Sequence, residues 1–187
     1  MKSYITLLFF LICLVSCFSN NSNESNSNWS IEYYLDEFQE QTDEPYIIGD
    51  FKGSFSNSAT TNSVLNVQVL IDSTRVRFKF FEYGTHLLKD AGSFKFRYKT
   101  QDGATGEIGF LSNDPYGYIG NYNAFLYEYE INTKLRELFI NNSIIKFSCN
   151  NTEYYSDEYN FEINTKGLNE ALKKANIPLK MPPYPGQ

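Results

Sequence analysis

Between Leu65 and Phe80 apolar and polar positions alternate with a period of two, the pattern of strands that bury one face. Leu65, Val67, Val69 and Ile71 share one face, with Asn66, Gln68 and Leu70 on the other. Past the turn-forming Asp72-Ser73-Thr74, Val76, Phe78 and Phe80 alternate with Arg75, Arg77 and Lys79. The two runs predict a hairpin whose outer face carries the cations. Residues 93–100 repeat the pattern, with aromatics inward and Lys95, Arg97 and Lys99 outward. Gln101-Asp102-Gly103 then supplies a turn suited to a positive φ at glycine, and residues 107–111 are expected to return as the partner strand. Further strands are expected at 46–55, 125–131, 143–149 and 158–163, with 29–35 as an edge strand.

Helical spacing appears twice. Leu135, Leu138 and Phe139 follow a cap at Asn132 or Thr133, and Leu168, Ala171, Leu172 and Ala175 follow Gly167, with Pro178 just beyond. Glu-Ile-Asn-Thr-Lys occurs at both 130–134 and 162–166, and each copy is read as a strand-to-helix turn. The chain is therefore expected to be mainly β: an antiparallel sandwich or barrel-like curved sheet with a short internal helix and a C-terminal helix. A lipocalin-like barrel is the alternative.

The front of the chain has a different pattern. Lys2 precedes an apolar run over 4–15 broken only by Thr6. The run is shorter than the roughly 20 residues a spanning helix needs, so it reads as the h-region of a signal peptide. Leu14-Val15-Ser16-Cys17 resembles the bacterial lipobox. That resemblance implies cleavage before Cys17 and a diacylglycerol on its thiol, whose acyl chains contribute about 0.8 kcal/mol per buried CH₂. Residues 18–28 are mostly Asn and Ser and bury too little to offset their ordering entropy, so they form a tether of about 20 Å. The expected organisation is a signal peptide over 1–16, a lipidated cysteine and tether over 17–28, one domain over 29–176 and a Pro-rich tail over 177–187.

Composition strengthens the β reading, because 15 Tyr and 16 Phe suit the pleated, half-buried surface of a sheet. The net charge of -6 becomes -7 once Lys2 leaves, with 15 basic against 22 acidic residues. No basic cluster is present, which disfavours nucleic acid and anionic headgroups as direct ligands.

Candidate chemistry is sparse. Cys13 leaves with the signal and Cys17 is lipidated, so Cys149 is the remaining thiol, read as a small buried hydrophobe. The single histidine, His86, lies between Glu82 and Lys89-Asp90, where a general acid or base can be imagined, although no nucleophile or oxyanion donor can be placed beside it. One His and one Cys do not make a zinc site, and Asp36, Glu37, Glu40, Asp43 and Glu44 match no Ca²⁺ loop. No catalytic residue, metal or cofactor is assigned. The segment 113–123 is the candidate binding loop: Tyr116, Tyr118 and Tyr122 combine apolar area with a polar tip, and Asn121 and Asn123 adapt their hydrogen bonds.

Gly53-Ser54-Phe55-Ser56-Asn57-Ser58-Ala59-Thr60-Thr61-Asn62-Ser63, followed by the hairpin and Glu82-Tyr83-Gly84, resembles a segment of small lipoproteins of Bacteroidota-type bacteria. The helix-to-strand run 135–147 and the stretch 161–172 are similar to envelope accessory proteins of the TagO type linked to type VI secretion. The resemblance spans most of 29–175, lacks the paired cysteines common in periplasmic relatives, and implies no catalytic residues. The tether, the lack of an assignable catalytic set and the Tyr-Asn loop lead to the expectation of a lipid-anchored binding or accessory protein of the bacterial envelope, with the outer membrane favoured over the inner, facing the periplasm or the surface. Its expected partners are the membrane, through the lipid, and another envelope protein or a glycan. A small apolar-ligand carrier and a hydrolase using His86 are the alternative readings.

Overall fold

The computed structural model describes residues 27–88, 92–112, 116–120, 125–152 and 157–181, without the side chains of 111, 112 and 125–128. Cys17, Asn121, Tyr122, Asn123 and the tail beyond Met181 lie outside the described residues. In chain order the strands are β1 (Trp29–Leu35), β2 (Gln41–Ser56), β3 (Ser63–Ile71), β4 (Val76–Glu82), β5 (His86–Leu87), β6 (Gly92–Thr100), β7 (Thr105–Ser112), β8 (Ile144–Asn151) and β9 (Glu158–Asn164). The helices are α1 (Phe125–Asn141), between β7 and β8, and α2 (Leu168–Lys174), after β9. All the strands join one antiparallel, unclosed sheet in the order β5-β4-β3-β2-β9-β8-β6-β7, with β1 also on β2. The expected mainly-β fold is thus present as a single curved sheet.

The long strand β2 organises the sheet. One edge pairs with β3 from Ile47 to Phe55; the other carries β1 along 41–49 and then β9 along 53–56. Gly53 permits the close approach to β9, since a Cβ there would lie 2.2 Å from the Asn160 carbonyl oxygen.

The sheet curls because its inward residues are large and aromatic. Phe78 of β4 lies 5.0 Å from Phe96 of β6 and 5.7 Å from Phe110 of β7, strands at the far end of the sheet order. Phe80, Phe94, Phe147, Tyr159 and Phe161 complete the cluster, each 5% exposed or less. Burying such a ring contributes roughly 2 to 3 kcal/mol, so the two ends of the sheet are drawn over a shared filling.

Two segments cover the open side. Ile119 forms a two-way backbone bridge with Phe78, with N–H to O distances of 3.0 and 2.8 Å. Helix α1 buries Ile131, Leu135 and Phe139; Asn132 Oδ1 accepts the Val76 N–H at 2.6 Å, and Lys134 Nζ donates to the Glu107 carbonyl of β7 at 3.0 Å.

That helix corrects the expected strand over 125–131 and the caps at Asn132 and Thr133, which are interior to α1. The alternation Tyr127-Glu128-Tyr129-Glu130-Ile131 reads as a strand in isolation. The longer spacing Ile131, Leu135, Phe139 places one apolar stripe on the core, and tertiary burial decides between the two periods. The first Glu-Ile-Asn-Thr-Lys copy is accordingly helical, while the second ends β9 and turns toward α2.

Candidate binding surface

The outer face of β1 to β4 carries a connected polar cluster built on Asp72 and Arg77. Outward alternation places Tyr34 on β1, Tyr46 on β2, and Arg77 and Lys79 on β4. The Tyr34 and Tyr46 rings lie 4.8 Å apart. Tyr118, on the segment that bridges to β4, puts its ring 4.0 Å from Lys79 Nζ and 4.6 Å from Arg77 Cζ, both cation–π distances. Tyr116 nearby is 70% exposed. Tyr118 of the candidate loop thus covers a pair of cations that the hairpin pattern had placed on the outer face, and Tyr116 stands exposed two residues before it.

Asp72 anchors this surface. Its Oδ1 accepts the Thr74 N–H at 2.8 Å, the Thr74 hydroxyl at 2.9 Å and the Arg75 N–H at 2.8 Å, closing the β3–β4 turn. Its Oδ2 accepts the Tyr34 hydroxyl and the Arg77 guanidinium, each at 2.9 Å, and Arg77 also donates to the Tyr34 oxygen. Burial opposes the Asp72 charge, yet the hydrogen bonds from Thr74 and the positive charge of Arg77 outweigh it and hold the carboxyl below its ordinary range. Burial, reinforced by the Asp72 charge, pushes the Tyr34 hydroxyl up, so it stays a neutral donor.

Beneath the turn lies Arg136 of α1, 3% exposed. It donates to the Pro178 carbonyl at 2.7 Å and to the Asp72 carbonyl, pinning the turn and the segment after α2 to one helix. Burial lowers its pKa, and the nearby Asp72 charge counters that shift. A cleft of about 690 Å³ opens beside these groups, bounded by Tyr33, Tyr34, Glu44, Thr74, Arg75 and Lys174 among others.

The remaining candidates are placed apart. His86 is exposed on β5, with Glu82 as its Cα partner on β4. The Glu82 carboxylate already accepts the Tyr159 hydroxyl at 2.9 Å. Cys149 is fully buried on the inner face of β8, and burial pushes its thiol well up, so it packs as a small hydrophobe and not as a nucleophile. Asp36, in the acidic stretch, accepts the backbone N–H groups of Phe38 and Glu40 at 2.9 Å each and so shapes a turn.

Sequence reasoning missed the Tyr34-Asp72-Arg77 cluster. Its signals were an Asp opening a Ser-Thr turn and outward positions on β1 and β4, but the β1 to β4 juxtaposition depends on both strands sharing the β2–β3 layer. No family model, curated protein or solved structure matches the chain.

Proposed function

We propose that this protein is a lipid-anchored, non-catalytic binding module of the bacterial cell envelope that takes its ligand on the outer face around Tyr116 and Tyr118. The observation that carries the reading is the Tyr118 ring seated over Lys79 and Arg77, with the exposed Tyr116 two residues before it in the chain. Exposed rings offer flat apolar faces to sugars, and an ammonium group such as that of Lys79 donates to hydroxyl or carboxylate oxygens, while Arg77 is held by Asp72 and Tyr34 and fixes the surface. The ligand class this chemistry suits is an envelope glycan bearing acidic groups. The lipobox-like Leu14-Val15-Ser16-Cys17 and the Asn/Ser tether support placement at a membrane surface.

The interior supports a binding module over an apolar-ligand carrier. A carried ligand needs roughly 300 Å³ or more, and the inner face between β4 and β6 to β9 is occupied by rings 4.6 to 6.3 Å apart.

The test is recovery of ligand by the tagged protein from solubilised membranes. Replacing Tyr116, Tyr118 and Tyr122 together by Ala should abolish recovery of glycan while leaving the thermal midpoint of the domain within a few degrees. Undiminished recovery by the triple variant would reject the surface; recovery of a protein in place of a glycan would reject the ligand class.

A further inference from the structure

The β1–β2 hairpin ends in a tip unlike the rest of the surface. Phe38 is 75% exposed and Leu35 57% exposed, on a turn closed by the Asp36 N–H to Glu40 carbonyl bond at 2.9 Å and by Gln39 at φ 65°. With Asp36 Oδ1 also holding the Phe38 and Glu40 amides, the tip is ordered before it meets anything and binding would cost it little entropy. Asp36, Glu37 and Glu40 share this turn with the apolar pair, and no Lys or Arg occurs from Ser3 through Phe51.

The opposite chemistry lies elsewhere on the same molecule. An open groove of about 770 Å³ crosses the outer face of β6 to β9, with Arg97, Lys99 and Lys146 on its walls. Glu107 and Glu162 also border it; Glu107 is paired with Lys95 at 2.6 Å, and Glu162 faces Lys146 at 3.9 Å. The lining itself carries three cations, Arg97, Lys99 and Lys146, against the two carboxylates Glu107 and Glu162. The volume falls within the range of roughly 300 to 1,000 Å³ that accommodates a ligand.

No chain can fill its own groove with its own tip. Gln41 leaves the tip and Gly53 pairs with Phe161 at the groove, and these positions are about 40 Å apart along β2 at roughly 3.3 Å per residue. We propose that the acidic, apolar hairpin tip of one copy docks into the cationic groove on the outer face of β6 to β9 of a second copy. The two surfaces differ and lie at separate places on the molecule, so the contact is head-to-tail and can repeat from chain to chain. A tip of this size makes a weak contact by itself, and confinement of many copies to one surface raises their effective concentration.

The experiment uses the full-length chain expressed in whole bacterial cells. Glu37→Cys and Lys99→Cys are placed in the same chain and oxidised with copper-phenanthroline, with Cys149 silent because it is buried. The expected product is a ladder of dimers, trimers and longer species on a non-reducing gel. Each single variant should give no more than the background of a Val64→Cys control, since Val64 is exposed but belongs to neither surface. Adding Phe38→Ser should lower the ladder yield about tenfold, as expected for loss of a central aromatic anchor. Lys99 is occupied by the cross-linking cysteine, so the charge test uses the remaining groups. Arg97→Glu with Lys146→Glu should also lower the yield about tenfold, and adding Asp36-sparing Glu40→Lys should recover part of it.

A ladder no stronger than the control overturns the proposal, as does a ladder indifferent to Phe38→Ser. Loss of yield on charge reversal with no recovery by Glu40→Lys overturns the pairing of these two surfaces. Thermal melts of the variants separate misfolding from lost contact, and none of these outcomes bears on glycan recovery through the tyrosines.

Discussion

At the scale of single residues, Asp72 concentrates more structural consequence than any other polar group described. Its two oxygens serve different neighbours, the turn on one side and Tyr34 with Arg77 on the other. Asp72→Asn removes the charge opposite Arg77 and should cost about 3 kcal/mol, read from the midpoint of chemical denaturation. The sign of its pH dependence follows from the depressed folded-state pKa. The stabilisation is fully present above the unfolded carboxyl value of roughly 3.9 and is lost as pH falls from there through the folded value, so Asp72→Asn should flatten the acid limb of the stability curve. A variant whose acid limb matches the parent would remove this assignment. Two glycines make a second residue-scale contrast. Gly53→Ala drives a Cβ into the Asn160 carbonyl, which is held by the β2–β9 pairing, and should cost about 2 to 3 kcal/mol. Gly103→Ala meets nothing within 4 Å and strains only its φ of 92°, so about 1 kcal/mol is expected. Equal costs for the two would mean that the Asn160 carbonyl gives way to the added Cβ and that the close approach at Gly53 is not required.

At the scale of elements, α1 joins parts of the chain that are remote in sequence. Arg136 reaches Asp72 and Pro178, and Asn132 reaches Val76. Arg136→Met keeps the aliphatic volume but leaves two carbonyls without their donor, so the segment after α2 should loosen first. Trypsin should then cut at Lys174 and Lys180 several-fold faster than in the parent, while cleavage in the sheet is unchanged; uniform acceleration throughout would instead indicate global destabilisation. The elements also show what was legible in the sequence. Period-two alternation identified β3, β4 and β6 with their inward faces, because each strand's pattern is self-contained. The same reasoning misplaced residues 125–131, where an aromatic-acid alternation competes with a helical stripe that packs on the sheet, Phe139 lying 6.4 Å from Phe147 of β8. Glu-Ile-Asn-Thr-Lys adopts a helix at one position and a strand end at the other, so these five residues do not determine their own conformation. The Tyr34-Asp72-Arg77 cluster was hidden for a related reason: its members are adjacent only once β1 is laid beside β2 and β3 beside β4.

At the scale of the whole molecule, charge and chain organisation are uneven. The acidic hairpin tip and the cationic outer face of β6 to β9 stand apart on one sheet, and the proposed lipid attaches ahead of Ser27, which is held against the Lys166 carbonyl at the β9–α2 turn. Cys17→Ser should abolish incorporation of an alkyne-labelled fatty acid and move the protein out of the membrane pellet; label retained on the variant would remove the lipobox reading. Cys149 has a further consequence at this scale. In the processed protein it would be the sole free thiol, and the sheet keeps it out of contact with water. It is therefore a built-in clock: the rate at which an aqueous maleimide modifies it reports how often the curled sheet opens, without any optical probe having to be added to the protein.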